Sequence, residues 1–521
     1  MNKEKKIYKL KYSPHLAAIL SGLMIAFSMP GYNLNLLAWF GLIPLLFALK
    51  NKTPKQALKL GLITGLSAAV IIFHYIFPIS IHFIGKNSLW GVFGLLFIIF
   101  YYALWFGLIS YFYTKVISNK KKIPFFLNLI IFPSIWISFE WIHSILLKGV
   151  HWTFFFLGYS QWENPYLLQL SSIFGVFGIS FIIVLFNYLI FISIEKKNIK
   201  FASLGIIIFI IVNLTGYFIK IHRESEKGRQ IKVSILQENI DALTRWDKAT
   251  GDSLANVFLS LCQQASTQDP DLIVWSETAI PWTFRVDDHL IKKALEITNP
   301  TNAGHIIGIV SETEQNPENV YNSAFYFHPD GRATERYDKT LLISFLEAPL
   351  FDWSFFKLLK LPIYRAGLNK NLVPGERQRL MKTPYGKAGI LICNESALIS
   401  PARTATKDGA DFLITMSNDS WLENTIYSEC HFVISLFRAV ENGRDMIINS
   451  NRGFSASISS SGRINKRINS QKPQCISTEI YTKKVKTIYS RFGDWLPIWC
   501  VIFILYVSLI KKKNINEKIN H

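Results

Sequence analysis

Two patterns of apolar and polar residues divide this chain. Residues 13 to about 219 carry long apolar runs with few charges, and a last such run covers about 492–510. Between them, from about 225 to 485, apolar clusters are short and set among polar residues, as in an ordinary water-soluble domain. A helix needs about 20 mostly apolar residues to cross the hydrocarbon core of a bilayer. The runs at roughly 13–30, 33–49, 57–80, 88–114, 124–146, 172–193, 201–219 and 492–510 therefore predict about eight membrane-crossing helices. The first run ends at Met29-Pro30-Gly31 without a small-x-small cleavage pattern, and the second follows almost at once, so it reads as a span and not a cleaved leader. From Lys232 the period changes. Short β-rich runs at 233–236, 272–275, 305–310, 324–327, 389–392 and 412–415 alternate with helical stretches such as 252–265, and Pro329-Asp330-Gly331 marks a turn. Strands alternating with helices predict an α/β layered domain. The expected organisation is an α-helical membrane domain of seven spans over 1–224, an extramembrane domain over 225–485, and a final span with its tail over 486–521.

Charge adds a direction to this plan. A formal net charge of +20 can indicate nucleic-acid binding. Here the lysines gather in short segments between apolar runs, at 3–11, 50–59, 115–122, 196–200 and 511–513, while the alternate loops carry little beyond Lys86 and Lys148. Lysines beside a span hold a loop on the cytoplasmic side. The pattern therefore points to a membrane and away from nucleic acid. It predicts cytoplasmic termini, with the extramembrane domain across a bacterial inner membrane in the periplasm. Two features interrupt the spans. Glu140 lies at membrane depth beside Trp141 and His143, either as a functional carboxyl or as one reaching the interface. The segment 151–156 reads as an aromatic belt.

The five cysteines, Cys262, Cys393, Cys430, Cys475 and Cys500, are odd in number and show no short-spaced pair, so neither zinc nor a dithiol redox site is indicated. Cys500 falls in the last apolar run as a packing residue; a Cys262–Cys475 or Cys430–Cys475 disulfide stays open. Cys393 is different: it ends an apolar strand, as Glu277 follows another and Lys339 follows Tyr337-Asp338. At strand ends, side chains leave the packed sheet and meet a cleft. Glutamate, lysine and cysteine supply a base, a charge stabiliser and a nucleophile.

The order Glu277, Lys339, Cys393 resembles the nitrilase superfamily, and the membrane plan narrows the likeness to the apolipoprotein N-acyltransferase family. The likeness runs over almost the whole chain. In the membrane part, Gln169 to Asn187, with Phe174-Gly175-Val176-Phe177-Gly178, is similar to that family's signature. Then come Gln237-Glu238-Asn239-Ile240 with Trp246, Trp275-Ser276-Glu277-Thr278, Tyr321-Asn322-Ser323, Tyr337-Asp338-Lys339, Phe345-Leu346-Glu347 and Pro374-Gly375-Glu376. Cys393-Asn394-Glu395, Asn418-Asp419-Ser420-Trp421, the run 438–444 and Asn451-Arg452-Gly453 complete the order. Asn394, Leu346, Ser276, Leu422 and Arg452 depart from the family's usual residues. The resemblance implies a nitrilase-like α/β sandwich that moves an acyl chain from a phospholipid to the α-amine of a diacylglyceryl-cysteine apolipoprotein, through a thioester on Cys393 with Glu277 as base and Lys339 as oxyanion stabiliser. It implies supporting roles for Glu347, Glu395 and Asn394, and for Trp246 and Trp421 a place along the substrate path, with aromatic packing an equal account. Neither metal nor diffusible cofactor is implied. The competing readings are a membrane-tethered amidase and a non-catalytic lipoprotein-binding paralogue.

Overall fold

Where an apolar run stops decides whether it becomes one long helix. The computed structural model describes residues 13–77, 88–118, 124–146, 155–241, 244, 246–247, 249–344, 347, 371–422, 425–468 and 471–516. Among them, five helices are long and apolar enough to cross a bilayer: Pro54–Phe73, Val92–Ile117, Phe125–Leu146, Val176–Lys196 and Lys200–Ser225. The other three expected spans correspond to shorter apolar segments, Pro14–Ser28, Asn35–Leu49 and Trp495–Leu509. The first stops at Met29, whose extended backbone precedes Pro30. The second breaks into a 3₁₀ turn, Asn35–Trp39, and a short helix, Ile43–Leu49, with Pro44 in its first turn. The expected belt at 151–156 falls largely outside the described residues.

Local chemistry and close packing build the bundle. Thr53 accepts from Gln56 N, Gln56 returns a bond to Thr53 N at 3.0 Å, and Pro54 opens the helix, so Pro54–Phe73 starts on a capping box. A Cβ on Gly65 would lie 2.5 Å from Ala103 Cα, so glycine lets this helix approach its neighbour backbone to backbone. The break in the second segment is repaired by Asn187. Its side chain accepts from Leu42 N and donates to Ala38 O, both at 2.9 Å. Backbone groups that a broken helix leaves unpaired at membrane depth must find such a partner.

The extramembrane strands are β1 Gln230–Gln237, β2 Leu272–Val274, β3 Ile280–Thr283, β4 Gly304–Glu312, β5 Asn319–Phe327, β6 Ala333–Asp338, β7 Asn371–Leu372, β8 Leu380–Thr383, β9 Gly386–Ile392, β10 Phe412–Ser417, β11 Met446–Ser450, β12 Ser455–Ile458, β13 Ile464–Ile468 and β14 Gln474–Tyr481. They form two sheets, one ordered β14-β1-β2-β4-β5-β6, with β3 and β7 appended to β4 and β5, the other β13-β12-β11-β10-β9-β8. The period-2 pattern packs the sheets face to face: Ile231, Val233 and Ile235 of β1 share a core with Ala388, Ile390 and Ile392 of β9 and Ile414 of β10. Helices Gly251–Ser266 and His289–Thr298 cover the outer face of the first sheet, and Ile399–Lys407 and Ile426–Asn442 that of the second. This is an α/β sandwich with parallel central strands buried on both faces.

The second sheet's outer helix also faces the membrane bundle. Val433, Phe437 and Val440 belong to the same apolar core as Phe156, Tyr159 and Leu168. Tyr159 and Phe437 meet edge to face at 4.9 Å. Glu441 accepts from Val176 N at 3.0 Å, at the start of Val176–Lys196, and pairs with the fully buried Arg438 at 3.1 Å. Gln169 donates to Ser461 O at 2.8 Å. The Gln169–Asn187 motif therefore stitches structure at both ends.

Candidate active site

Three strand ends converge on one buried cluster. Glu277 follows β2, Lys339 follows β6 and Cys393 follows β9. The backbone that carries Glu277 turns sharply, with Thr278 at φ +48°, and runs against β4. A Cβ on Gly308 would lie 2.2 Å from Ser276 O, so only glycine at that point of β4 leaves room for the Glu277 turn. Lys339 is anchored by main chain on both sides: its N–H donates to Asn322 O at 2.8 Å and its carbonyl accepts from Gly375 N at 2.7 Å. Cys393 has φ +53°, a left-handed conformation disfavoured for a side chain with a Cβ. That turn lifts the thiol off the sheet.

Lys339 Nζ is fully buried, 2.7 Å from Glu347 Oε1 and 3.5 Å from Glu277 Oε1. Asn322 Nδ2 donates to the same Glu277 oxygen at 2.8 Å. Burial opposes the charge on Lys339, but Glu347 and Glu277 outweigh it and raise its pKa above the ordinary lysine value. Burial also pushes Glu277 up; Lys339 opposes this, Glu347 adds to it, and Asn322 and the thiol pull it down. Burial, then the Glu277 charge, holds the Cys393 thiol well above its usual range, against the pull of Lys339. The resting site thus favours a neutral thiol and a fixed ammonium. Cys393 is partly accessible; the other four cysteines are buried, and all five are free thiols, so neither disulfide considered from the sequence is formed.

The supporting residues separate by role. Glu347 holds Lys339 directly and also accepts from Ile343 N at 2.8 Å. Glu395 is fully buried and does not touch Lys339 Nζ. It accepts from Thr340 N (2.8 Å), Leu341 N (3.2 Å), Ile392 N (2.8 Å) and the Tyr337 hydroxyl (2.9 Å), clamping the Lys339 loop to the Cys393 turn. Asn394 is buried and donates to Leu341 O at 3.4 Å. Trp246 packs against Trp282 and Phe258, centroids 5.1 and 5.8 Å away, at the helix-covered face of the first sheet. The side chain of Trp421 lies outside the described residues.

Two residues at the site had no role in the sequence reading. Asn322 stands in a quoted motif and turns out to bond Glu277. His431 was not singled out. Its Nδ1 lies 3.0 Å from Asp419 Oδ1, and its Nε2 lies 3.2 Å from the Cys393 carbonyl and 2.9 Å from Ser396 Oγ. The available signal was a histidine on the buried face of an amphipathic helix, twelve residues after an aspartate at a strand end.

Comparison with known proteins gives this geometry a context. Residues 21–189 match the family described as apolipoprotein N-acyltransferase N-terminal domain, and residues 232–488 match the carbon-nitrogen hydrolase family. The chain is 28% identical to the apolipoprotein N-acyltransferase of Geobacter metallireducens, over 97% of this chain and 96% of that protein. It is also 28% identical to that of Rickettsia bellii, over 98% and 100%. Among solved structures, Nit3 of Saccharomyces cerevisiae, a nitrilase-superfamily member, is 18% identical with a TM-score of 0.38, over 49% of this chain and 91% of that one.

Proposed function

The chain belongs to the apolipoprotein N-acyltransferase family, and from that premise we propose that Cys393 carries a phospholipid acyl chain as a thioester on its way to the α-amine of a lipoprotein's N-terminal diacylglyceryl-cysteine. The protein is an acyltransferase of lipoprotein maturation. The observation that carries the finer reading is the buried contact of Glu277 with Lys339 and Asn322, with the charges of Glu277 and Lys339 acting on the Cys393 thiol.

In the first half-reaction Glu277 takes the thiol proton as Sγ attacks the ester carbonyl. The negative charge moves onto the carbonyl oxygen, where the Lys339 ammonium and backbone N–H groups after Cys393 stabilise it. Collapse breaks the ester C–O bond, and Glu277 returns the proton to the departing lysophospholipid oxygen. In the second half the lipoprotein amine attacks the thioester, Glu277 takes a proton from the nitrogen, and the thiolate leaves and is reprotonated. Every proton that Glu277 accepts is given back within the same half-reaction.

Both substrates carry acyl chains and stay in a bilayer. A site packed on the membrane bundle through the helix Ile426–Asn442 keeps them at high effective concentration. We read the three shorter apolar segments with the five long helices as the eight crossings, with the bacterial inner membrane as the location, the catalytic sandwich over 225–485 on the periplasmic side and both termini cytoplasmic.

The test is adduct formation by the purified full chain with a phospholipid bearing a labelled acyl chain. Wild type should give a hydroxylamine-sensitive label on the peptide containing Cys393, discharged by a diacylglyceryl-cysteine peptide. Cys393→Ala should fold and give none. A chain with Cys262, Cys430, Cys475 and Cys500 all replaced should still be labelled. Label on Cys393→Ala, or its loss from a folded four-site variant, would show the assignment to be wrong.

A further inference from the structure

Behind the nucleophile lies a second polar cluster that the mechanism above leaves unused. His431 is buried on the helix Ile426–Asn442. Its Nδ1 faces the Asp419 carboxylate at 3.0 and 3.2 Å. Its Nε2 faces Ser396 Oγ at 2.9 Å and the Cys393 carbonyl oxygen at 3.2 Å. Ser396 donates to that same carbonyl through its N–H at 3.2 Å and its hydroxyl at 3.0 Å, and Ser435 donates to Ser396 Oγ at 3.0 Å. The Cys393 carbonyl can only accept, so a hydrogen on Nε2 satisfies that contact, and a hydrogen on Nδ1 satisfies the contact with the Asp419 carboxylate. The contacts fit an imidazolium, and they concentrate its charge on a single backbone carbonyl.

We propose that His431, held by Asp419, is a positioning residue that pins the left-handed turn at Cys393 and polarises the Cys393–Asn394 peptide, making the Asn394 N–H a stronger donor to the oxyanion. The two ends of a peptide group are conjugated. A cation on the carbonyl oxygen withdraws electron density from the nitrogen and makes its hydrogen more positive. The same contact holds Cys393 at φ +53°, a conformation that persists only when its surroundings enforce it. The inference rests on Cys393 being the nucleophile.

The charged groups around His431 are few. Asp419 comes from the turn after β10, and Glu277 acts from across the site; both favour the imidazolium, against burial, and the balance lies above the ordinary histidine value. Tyr427, one helical turn away on the same helix with ring centroids 5.9 Å apart, is held neutral by burial, to which the Asp419 charge adds. A raised histidine keeps its charge to higher pH than an ordinary one and loses it as pH climbs past the raised value. Acyl-enzyme formation should therefore fall on the alkaline side.

The experiment measures the rate of thioester formation on Cys393 against pH for the full chain with labelled phospholipid, with folding followed by thermal unfolding. Wild type should show the alkaline fall. His431→Gln keeps a donor but no charge. It should react roughly tenfold to a hundredfold more slowly at neutral pH, lose the alkaline fall, and keep the wild-type KM for phospholipid, since the ring does not touch substrate. Asp419→Asn should move the fall to lower pH. A merely structural histidine would lower the rate without changing the profile. A wild-type rate without an alkaline fall overturns the proposal, as does the fall persisting in His431→Gln or staying put in Asp419→Asn. If His431→Gln does not fold, the wild-type and Asp419→Asn profiles still decide. Absence of label on wild-type Cys393 overturns the nucleophile assignment and this inference together; label on Cys393 with unchanged profiles overturns this inference alone.

Discussion

Lys339 Nζ lies 2.7 Å from Glu347 and 3.5 Å from Glu277, so one buried cation serves two carboxylates that do different work. In the proposed mechanism Glu277 has to be ionised to take the thiol proton, and its pKa stands above the ordinary glutamate value through burial and through the charge of Glu347. The base form is thus lost as pH falls through that raised value, and thioester formation should fail on the acid side at a pH above the usual carboxylate range of about 4.3. Glu347→Gln removes the charge that adds to burial in raising Glu277 and lets Lys339 pair with Glu277 more closely. The acid limb of the rate–pH profile should move to lower pH while the plateau drops; an acid limb that moves up would contradict this arrangement. Lys339→Met should lower the rate by about 10²–10³-fold, as loss of an oxyanion donor does, with no recovery in alkali. Glu277→Gln should be partly rescued by alkali, because thiolate then forms without a base. Equal rescue of both variants, or of neither, would remove the division of roles. Glu277 and Cys393 were legible in the sequence because each closely follows an apolar strand, whereas Lys339 follows the mainly polar strand β6 and was legible only through the ordered set of motifs. His431 was not, because a histidine among Phe432, Val433 and Leu436 reads as core until the fold brings the Cys393 carbonyl to it. For Trp246 the sequence left a place along the substrate path and aromatic packing equally open, and the residue packs on Trp282 and Phe258.

Among the elements, the helix Ile426–Asn442 joins the two halves of the protein. One face carries His431 toward Cys393, and its last turns carry Arg438 and Glu441 toward the membrane bundle. Glu441 sits at the N-terminus of Val176–Lys196, where a negative charge is favoured by the helix dipole, and Arg438 reaches both Glu441 and the Tyr159 hydroxyl (3.2 Å). Both charges are fully buried. Removing one partner of such a pair leaves the other uncompensated and costs about 3–5 kcal/mol. Arg438→Met should therefore lower the thermal unfolding midpoint strongly, whereas Arg438→Met combined with Glu441→Gln should recover much of the loss. Additive damage in the double variant would mean that the two charges do not depend on each other. The elements visible in the sequence were those with a strong period: β1, β2, β4, β5, β9, β10 and the long apolar helices. Strands β12 and β13, with sequences Ser-Ala-Ser-Ile and Ile-Asn-Lys-Arg-Ile, carry little apolar pattern and are fixed by pairing with β11 and with each other. The second apolar segment looked like one span, and its break depends on Asn187, a partner 145 residues away.

At the scale of the whole molecule, the lysine pattern and the helix lengths make one joint statement about sidedness. Helix Lys200–Ser225 has 26 residues, which at about 1.5 Å rise each span roughly 39 Å, more than the ~30 Å hydrocarbon core. Its exposed apolar side chains, Ile206, Ile207, Ile210, Ile211, Leu214 and Phe218, occupy the middle and suit contact with lipid chains. Lys196, Lys197 and Lys200 gather at its N-terminal end. At its other end Glu226 and Lys227 lead into β1 and the catalytic sandwich. If lysine-rich loops stay in the cytoplasm, everything from Gly228 to the last apolar helix lies on the opposite side. A reporter active only outside the inner membrane should work when fused after Gly228 and fail when fused after Lys197, while one active only in the cytoplasm should do the reverse. The two fusion points flank a single helix, so their difference tests that one crossing without relying on any other span. Equal behaviour at both points would mean that the helix does not cross. The reversed pattern would put the sandwich in the cytoplasm, on the side away from the proposed diacylglyceryl-cysteine acceptor, and would remove the acceptor assignment while leaving the chemistry of Cys393 open to another amine.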